Sequence, residues 1–308
     1  MKIIEPSFEI QDDLDNSSIA IRLEECGRVC YKSEDKISLD SAIPFVIKIA
    51  EHGHNSVLEM AVVTFQVTCH PDHVLELLSC QPKYLEIDRV DNGMLVTGSI
   101  RTFRELYVNH PHNQLVNDLV AGLAAKEPHL FEKIFDADKA IEADPQVSIK
   151  KMSLAEVEAL PQELKIRHRY LSVRFFVNRA VTHELVRHRP CSFLQESQRY
   201  CRYSQDKFDN QVTFVKPMFF SEGSEEYRLW QEAMEETEAR YLKLLETATP
   251  QAARTVLPNS CKTEIIVYCN LSEWAHIFAL RTSKAAEPSM REIMVPLQLE
   301  LQKRYPML

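Results

Sequence analysis

Glycine is scarce in this chain: six among 308 residues, none of them in a GxGxxG or GxxxxGK[ST] frame. That excludes a Rossmann fingerprint and a P-loop, the two glycine-built phosphate cradles, so any nucleotide or flavin phosphate must be held by arginines and helix N-termini. Long apolar runs are absent too, none approaching the roughly 18–20 residues of a membrane helix. The opening Met1-Lys2-Ile3-Ile4-Glu5-Pro6 lacks the apolar stretch of a secretory signal. The expectation is a cytoplasmic protein with no membrane partner. The eight cysteines are scattered with no CxxC pair, which argues against structural zinc and for free, mostly buried thiols. Positive charge is in deficit: 36 Lys and Arg against 45 Asp and Glu leave a formal net charge of −9. A surface of that sign opposes nucleic-acid binding, so an anionic ligand needs a local basic cluster.

What is present suits a sizeable core, with 45% apolar and 26% charged residues. Ile19–Leu23 and Ala42–Ile47 supply apolar helix faces, and Gly53-His54-Asn55-Ser56 has turn chemistry. Ala61–Thr68 is β-branched and aromatic, predicting a strand. Asp91-Asn92-Gly93 predicts a hairpin turn between Tyr84–Ile87 and Met94–Gly98, with a helix from Thr102 to Val108. From about 109 to 165 the chain is polar and acidic and reads as a peripheral insertion. Tyr170–Val177 predicts a second strand, followed by a helix from Arg179 to Arg187. Tyr227, Trp230, Met234, Tyr241 and Leu244 fall at helical spacing. Thr249-Pro250 opens a short helix that ends before Pro258. Thr263–Cys269 predicts a strand and Leu271–Arg281 a helix. A last helix opens at Pro288, with Pro296 expected to kink it. These elements predict an α+β fold, a mixed or antiparallel sheet with packed helices.

The densest chemistry lies between His183 and Tyr200. His183-Glu184 followed by His188 imitates the HExxH zinc motif, but the second histidine falls at i+5. On a helix that is roughly 140° from the first, so the two cannot share a metal face. Arg187, Arg189, Arg199 and Arg202 offer the forked donors that suit phosphate, and Ser192, Gln195, Ser197 and Tyr200 add hydroxyl and amide groups able to hold a base or ribose. The competing reading is a solvated basic face or a set of salt bridges. Arg167-His168-Arg169 repeats the tripeptide without a trailing SxR segment, so RHR alone is weak evidence and the extended pattern carries the case.

Arg187-His188-Arg189, seven residues, then Ser197-Gln198-Arg199-Tyr200 resembles the hallmark of the flavin-dependent thymidylate synthases. His54-Asn55-Ser56-Val57-Leu58-Glu59 is similar to that family's H-x-S-x-x-E segment. Ala253-Arg254-Thr255-Val256-Leu257-Pro258 is similar to its A-R-x-x-L-P segment, and Asn270 through Trp274 to Leu280-Arg281 to its N-x-x-x-W…L-R segment. The resemblance covers about 40–68 and 171–305 and implies a single domain over 1–308. The stretch from about 69 to 170 is extra relative to shorter members, and Gly98–Phe103 points to the longer branch.

The resemblance implies FAD against Ser56, Arg187, His188, Arg189, Gln195, Asn270, Ser272 and His276. It implies deoxyuridylate (dUMP) against Glu184, Arg187, Gln195, Glu196, Ser197, Gln198, Arg199 and Arg254. Arg281 corresponds to the arginine that favours ionisation of the uracil. The implied reaction moves the methylene of methylenetetrahydrofolate to dUMP, with hydride from FAD that NADPH reduces, in a homotetramer with shared sites; no metal and no nucleic-acid partner are expected. Glu196 and Glu287 depart from the pattern of many members, and Glu287 is left out of the site.

Rival readings remain at this stage. Cys191 invites comparison with a nucleophilic cysteine. Ser197 lacks a histidine relay and reads as a phosphate-binding hydroxyl. A non-enzymatic nucleotide- or RNA-binding module is the alternative from another class, opposed by the acidic charge and by the lack of stacking aromatics along a strand.

Overall fold

The computed structural model describes residues 1–139 and 141–308. Among these, the strands in chain order are β1 (Lys2–Ile4), β2 (Ser7–Ile10), β3 (Val62–Thr68), β4 (Glu86–Val90), β5 (Gly93–Ser99), β6 (Ser148–Lys151), β7 (Tyr170–Asn178), β8 (Ser192–Gln195), β9 (Thr213–Val215) and β10 (Lys262–Asn270). The α-helices are α1 (Ile19–Val29), α2 (Ala42–Glu51), α3 (Asn55–Leu58), α4 (Pro71–Ser79), α5 (Ile100–Asn109), α6 (Gln114–Ala124) and α7 (Pro128–Phe131) in the first half. The second half carries α8 (Leu154–Glu158), α9 (Gln162–His168), α10 (Arg179–Leu185), α11 (Glu225–Leu244), α12 (Pro250–Ala253), α13 (Leu271–Arg281) and α14 (Pro288–Gln302).

The strands form two antiparallel sheets, ordered β2-β7-β10-β8 and β4-β5-β3-β6, and a small parallel pair, β1-β9. The α+β class and the antiparallel sheet expected from the sequence are therefore present. Strand β10 is central to the first sheet, and its run Ile265-Ile266-Val267 is apolar at consecutive positions because both faces are covered. Ile265, Val267 and Cys269 pack with Leu171, Val173, Phe175 and Val177 of β7 against α10, α13 and α14. Ile266 and Tyr268, with Leu194 of β8, face the other way into a core shared with α1, α2, α5, α6 and the second sheet. A third cluster gathers Trp230, Met234 and Tyr241 of α11 around Phe214 and Cys261.

Arg22 ties the two sheets together. From α1 its guanidinium donates to the Met60 carbonyl at 2.5 Å, to Asp15 at 3.2 Å and to Ser172 Oγ at 3.0 Å, and it lies over the Tyr268 ring. Such a buried cation persists because each of its three nitrogens has a partner.

The hairpin closes as the turn chemistry requires, with Val90 paired to Gly93. Gly93 is obligatory there: a Cβ would sit 1.9 Å from the Val67 carbonyl oxygen. Strands β1 and β2 were not expected; they are three and four residues long, too short to show a period. The turn chemistry at residues 53–56 opens the single-turn helix α3. Residues 69–170, read as an insertion, supply β4, β5 and β6, three of the four strands of the second sheet. Within them α6 buries Leu115, Val116, Leu119, Val120 and Leu123 in the core that also holds Leu23 and Val46. The polar average of 109–165 hides this apolar stripe. No helix among the described residues is long and apolar enough to cross a membrane.

Candidate functional site

Two helix ends meet at the centre of the site. Asn178 caps α10 by accepting from Val181 N at 3.0 Å. Asn270 caps α13 by accepting from Glu273 N at 2.9 Å, and Trp274 Nε1 anchors that helix on the Leu171 carbonyl at 3.2 Å. So held, the last turn of α13 carries Arg281 to the turn that follows α10. Its Nε donates to His188 Nε2 at 2.9 Å, its Nη2 to the Glu184 carbonyl at 3.0 Å, and its Nη1 pairs with the Glu184 carboxylate. A cation at a helix C-terminus is favourably placed against the dipole.

This contact fixes the state of His188. A guanidinium has no acceptor, so Nε2 must offer its lone pair and Nδ1 carries the proton. Burial, with Arg281 and His276 nearby, pushes the His188 pKa down to about 4. Nδ1 points towards Glu273 Oε1 at 3.8 Å, and the His276 ring stands edge-on at 5.8 Å between centroids. Burial raises the Glu273 pKa.

His188, Glu273 and His276 bring three ligand-type atoms within 4.8 Å of one another. A metal-bound histidine donates its second ring N–H outward; here the second nitrogen faces a donor instead. The donor set does not suit a metal while Arg281 is in place. His183 is exposed and His188 buried, so the HExxH imitation does not assemble.

The remaining expected residues fall into three settings. Gln195 Nε2, on β8, donates to Thr182 Oγ1 at 3.0 Å and to Thr263 Oγ1 at 3.2 Å. Ser197, half-buried, and Arg199, exposed, follow it, and Arg199 Nε reaches Gln251 on α12 at 3.3 Å, beside the turn that bears Arg254. Ser56, Ser272 and His276 are exposed, with α3 packed against β8.

Glu196, Gln198 and Asn270 are turned inward. Glu196 is 2% exposed, accepting from Tyr203 OH at 2.8 Å and from Lys262 Nζ at 2.9 Å. Gln198 is directed to Cys261 Sγ at 3.5 Å. The Asn270 amide serves the α13 cap and the Arg167 carbonyl. Each side chain has its polar capacity engaged by the fold, which is the expected state of a buried polar group.

Charge pairing separates the two RHR tripeptides. Arg167 pairs with Glu86 and Asp88, Arg169 with Asp15 and Glu158, and His168 lies between Thr97 Oγ1 at 2.7 Å and Asp88 at 3.0 Å. Arg187 and Arg189 are exposed, and among the described residues neither has a carboxylate partner; nor do Arg199 and Arg254. Arg189 lines a cleft of about 550 Å³ together with Tyr84, Arg101, Tyr170, Phe193 and Tyr268. Arg101 is already held there by Glu59 and Glu105, each at 2.6 Å, which leaves Arg189 as the uncompensated cation of the cleft. Glu273 was not among the residues singled out in the sequence, where it stands as an unspecified position between Asn270 and Trp274.

Fold and site thus define an α+β protein with a cluster of uncompensated arginines beside a buried Arg–His–Glu unit. Residues 159–307, just under half of the chain, match the family described as thymidylate synthase complementing protein. A flavin-dependent thymidylate synthase from Pyrococcus furiosus is 38% identical over 128 residues, 41% of this chain and 52% of that protein. One from Geobacter sulfurreducens is 36% identical over 120 residues, 39% of this chain and 50% of that protein. The chain spans about half the length of the relatives it matches. A solved UMP/dUMP methylase PolB from Streptomyces cacaoi, bound with 5-Br dUMP, aligns with 98% of this chain and 93% of its own at 14% identity and a TM-score of 0.41, a likeness too loose to carry weight.

Proposed function

We propose that the protein is a flavin-dependent thymidylate synthase that methylates dUMP at C5, with methylenetetrahydrofolate as carbon donor and FAD reduced by NADPH. The observation that carries the reading is the contrast between the tripeptides. In a chain of net charge −9, the RHR at 167–169 is neutralised by its own fold. The RHR at 187–189 keeps both arginines free, as does the Arg199 and Arg254 pair beside it. Uncompensated guanidinium forks in an acidic protein are matched to phosphate groups.

The donor set fits FAD: Arg187 and Arg189 for the pyrophosphate, Ser56 and Ser272 as exposed hydroxyls, and His276 as an exposed ring. Bound there, FAD supplies the hydride. Ser197, Arg199 and Arg254 are the residues we assign to the dUMP phosphate, with Gln195 lining the approach. Glu196 and Gln198 shape that loop from inside. Arg281 uses three of the five N–H donors of a guanidinium on His188 and Glu184. Five less three leaves two for the uracil ring. There a permanent cation stabilises the charge that develops on the pyrimidine as C5 turns nucleophilic. We assign the assembly as a homotetramer, in which exposed Ser56 on α3 serves the site of a neighbouring copy.

Purification tests the reading directly. The protein should be yellow, bleach on addition of NADPH, and convert dUMP to thymidylate when methylenetetrahydrofolate is present. A colourless protein that cannot be reconstituted with FAD would overturn it.

A further inference from the structure

We propose that Glu273 is a positioning residue for Arg281, acting through the tautomer of His188. The kinetic consequence rests on the dUMP-methylating reading above; the structural consequence does not.

The hydrogen bond from Arg281 Nε to His188 Nε2 at 2.9 Å exists only while the imidazole proton is on Nδ1. Which ring nitrogen holds the proton is set by what the other atoms of the site offer it. Glu273 Oε1, at 3.8 Å from Nδ1, is the carboxylate oxygen that faces the neutral His188 ring. It is also buried and accepts no hydrogen bond from any described residue, although a buried carboxylate oxygen is costly to leave without a donor. At 3.8 Å the contact is electrostatic rather than a full hydrogen bond. In a site this dry, a neighbouring negative charge still decides where the proton sits.

The helix builds this arrangement in. Glu273 occupies the first turn of α13, where a carboxylate is favoured by the helix N-terminus. Asn270 takes its main-chain N–H, leaving the side chain to point at His188. Arg281 lies eight residues further along the same helix, so one element presents both the acid that fixes the histidine and the guanidinium that the histidine fixes. With the acceptor gone, the Nε2–H tautomer becomes populated, two N–H donors then face each other, and the guanidinium swings off Glu184.

The test uses the full-length holoprotein labelled with ¹⁵N-histidine, with the His188 signals assigned by their loss in His188→Gln. Wild-type His188 should show a protonated Nδ1 and a bare Nε2. In Glu273→Leu the tautomer ratio should shift at least about tenfold towards Nε2–H, with Glu273→Asp, which keeps the negative charge, closer to wild type. A wild-type Nε2–H, or a ratio unmoved in Glu273→Leu, would overturn the proposal. In turnover, Glu273→Leu should lower kcat about 10- to 100-fold, as losses of orienting partners do, while KM for dUMP and flavin content hold and Glu273→Asp recovers part of the loss. A raised KM at unchanged kcat would also overturn it. If the wild type makes no thymidylate, the methylating reading fails and the tautomer measurement alone decides this one.

Discussion

Arg281 and His188 form one hydrogen-bonded unit, Nε to Nε2 at 2.9 Å, across the gap between the end of α13 and the turn after α10. On the proposed reaction, a guanidinium so braced meets the substrate with its orientation already set, and preorganised charge of this kind accounts for much of an enzyme's rate. Arg281→Ala should therefore lower kcat by roughly 10²–10³-fold. Flavin content, read from the visible absorbance of the purified protein, should change far less. Equal loss of both would remove the role assigned to Arg281.

The two RHR tripeptides should respond to mutation in opposite ways. Arg169 is 5% exposed and paired with Asp15 and Glu158, so Arg169→Ala leaves Asp15 to Arg22 and Glu158 to Tyr305 and should cost about 1–3 kcal/mol in urea unfolding. Arg189→Ala, on an exposed and unpaired side chain, should change stability by no more than about 0.5 kcal/mol. It should weaken flavin binding by about tenfold or more, the worth of a charge-assisted hydrogen bond. A stability loss in Arg189→Ala, with flavin affinity intact, would contradict the assignment.

Glu196 offers a test of which motif residues face inward. Glu196→Gln removes the charge that faces Lys262, which keeps Glu264, while leaving an acceptor oxygen for Tyr203 OH, and should destabilise by about 1–3 kcal/mol. Affinity for dUMP, measured by calorimetry on folded protein, should stay within about threefold, a shift of under 1 kcal/mol. A large affinity loss at unchanged stability would return Glu196 to the substrate site.

The pH dependence of folding carries a signature of His188. Its pKa is pushed down to about 4, first by burial and then by Arg281 and His276. In the unfolded chain it titrates near the ordinary histidine value of about 6.5. A depressed folded pKa means that the unfolded state binds the proton first as pH falls. Stability is thus full above about 6.5 and declines as the pH drops through about 4. His188→Gln should flatten that stretch of the stability curve; urea midpoints taken across the range check it.

The centre of the first sheet was legible because β7 and β10 are dense in Val, Ile and Phe. The hairpin was legible because Asp91-Asn92-Gly93 is turn chemistry with a glycine that the Val67 carbonyl demands. Strands β1 and β2 were not, since three or four residues carry no period and their pairing is set by distant partners. The apolar stripe of α6 was diluted by the acidic residues around it. In the site, the motif arginines could be read but their state could not. Glu86 and Asp88, which neutralise Arg167, lie some eighty residues from it in sequence, and the tripeptide itself does not distinguish Arg167 from Arg187. Glu273 was hidden for a related reason: the histidine it faces lies some eighty-five residues away in sequence, and nothing beside Glu273 points to it.

The double covering of the first sheet has a bearing on how the molecule comes apart. Leu194, Ile266 and Tyr268 are roofed by helices and strands from the first half of the chain, and β2 completes the sheet on the far side of β7. A fragment limited to 159–307 would lose that roof and that strand together, exposing an apolar sheet face to water. The family-matching segment should therefore not fold by itself, and circular dichroism of that fragment checks it. Its slowest-exchanging amides, in β10, should open only when those of β5 and α6 open too, as one cooperative transition of the whole chain.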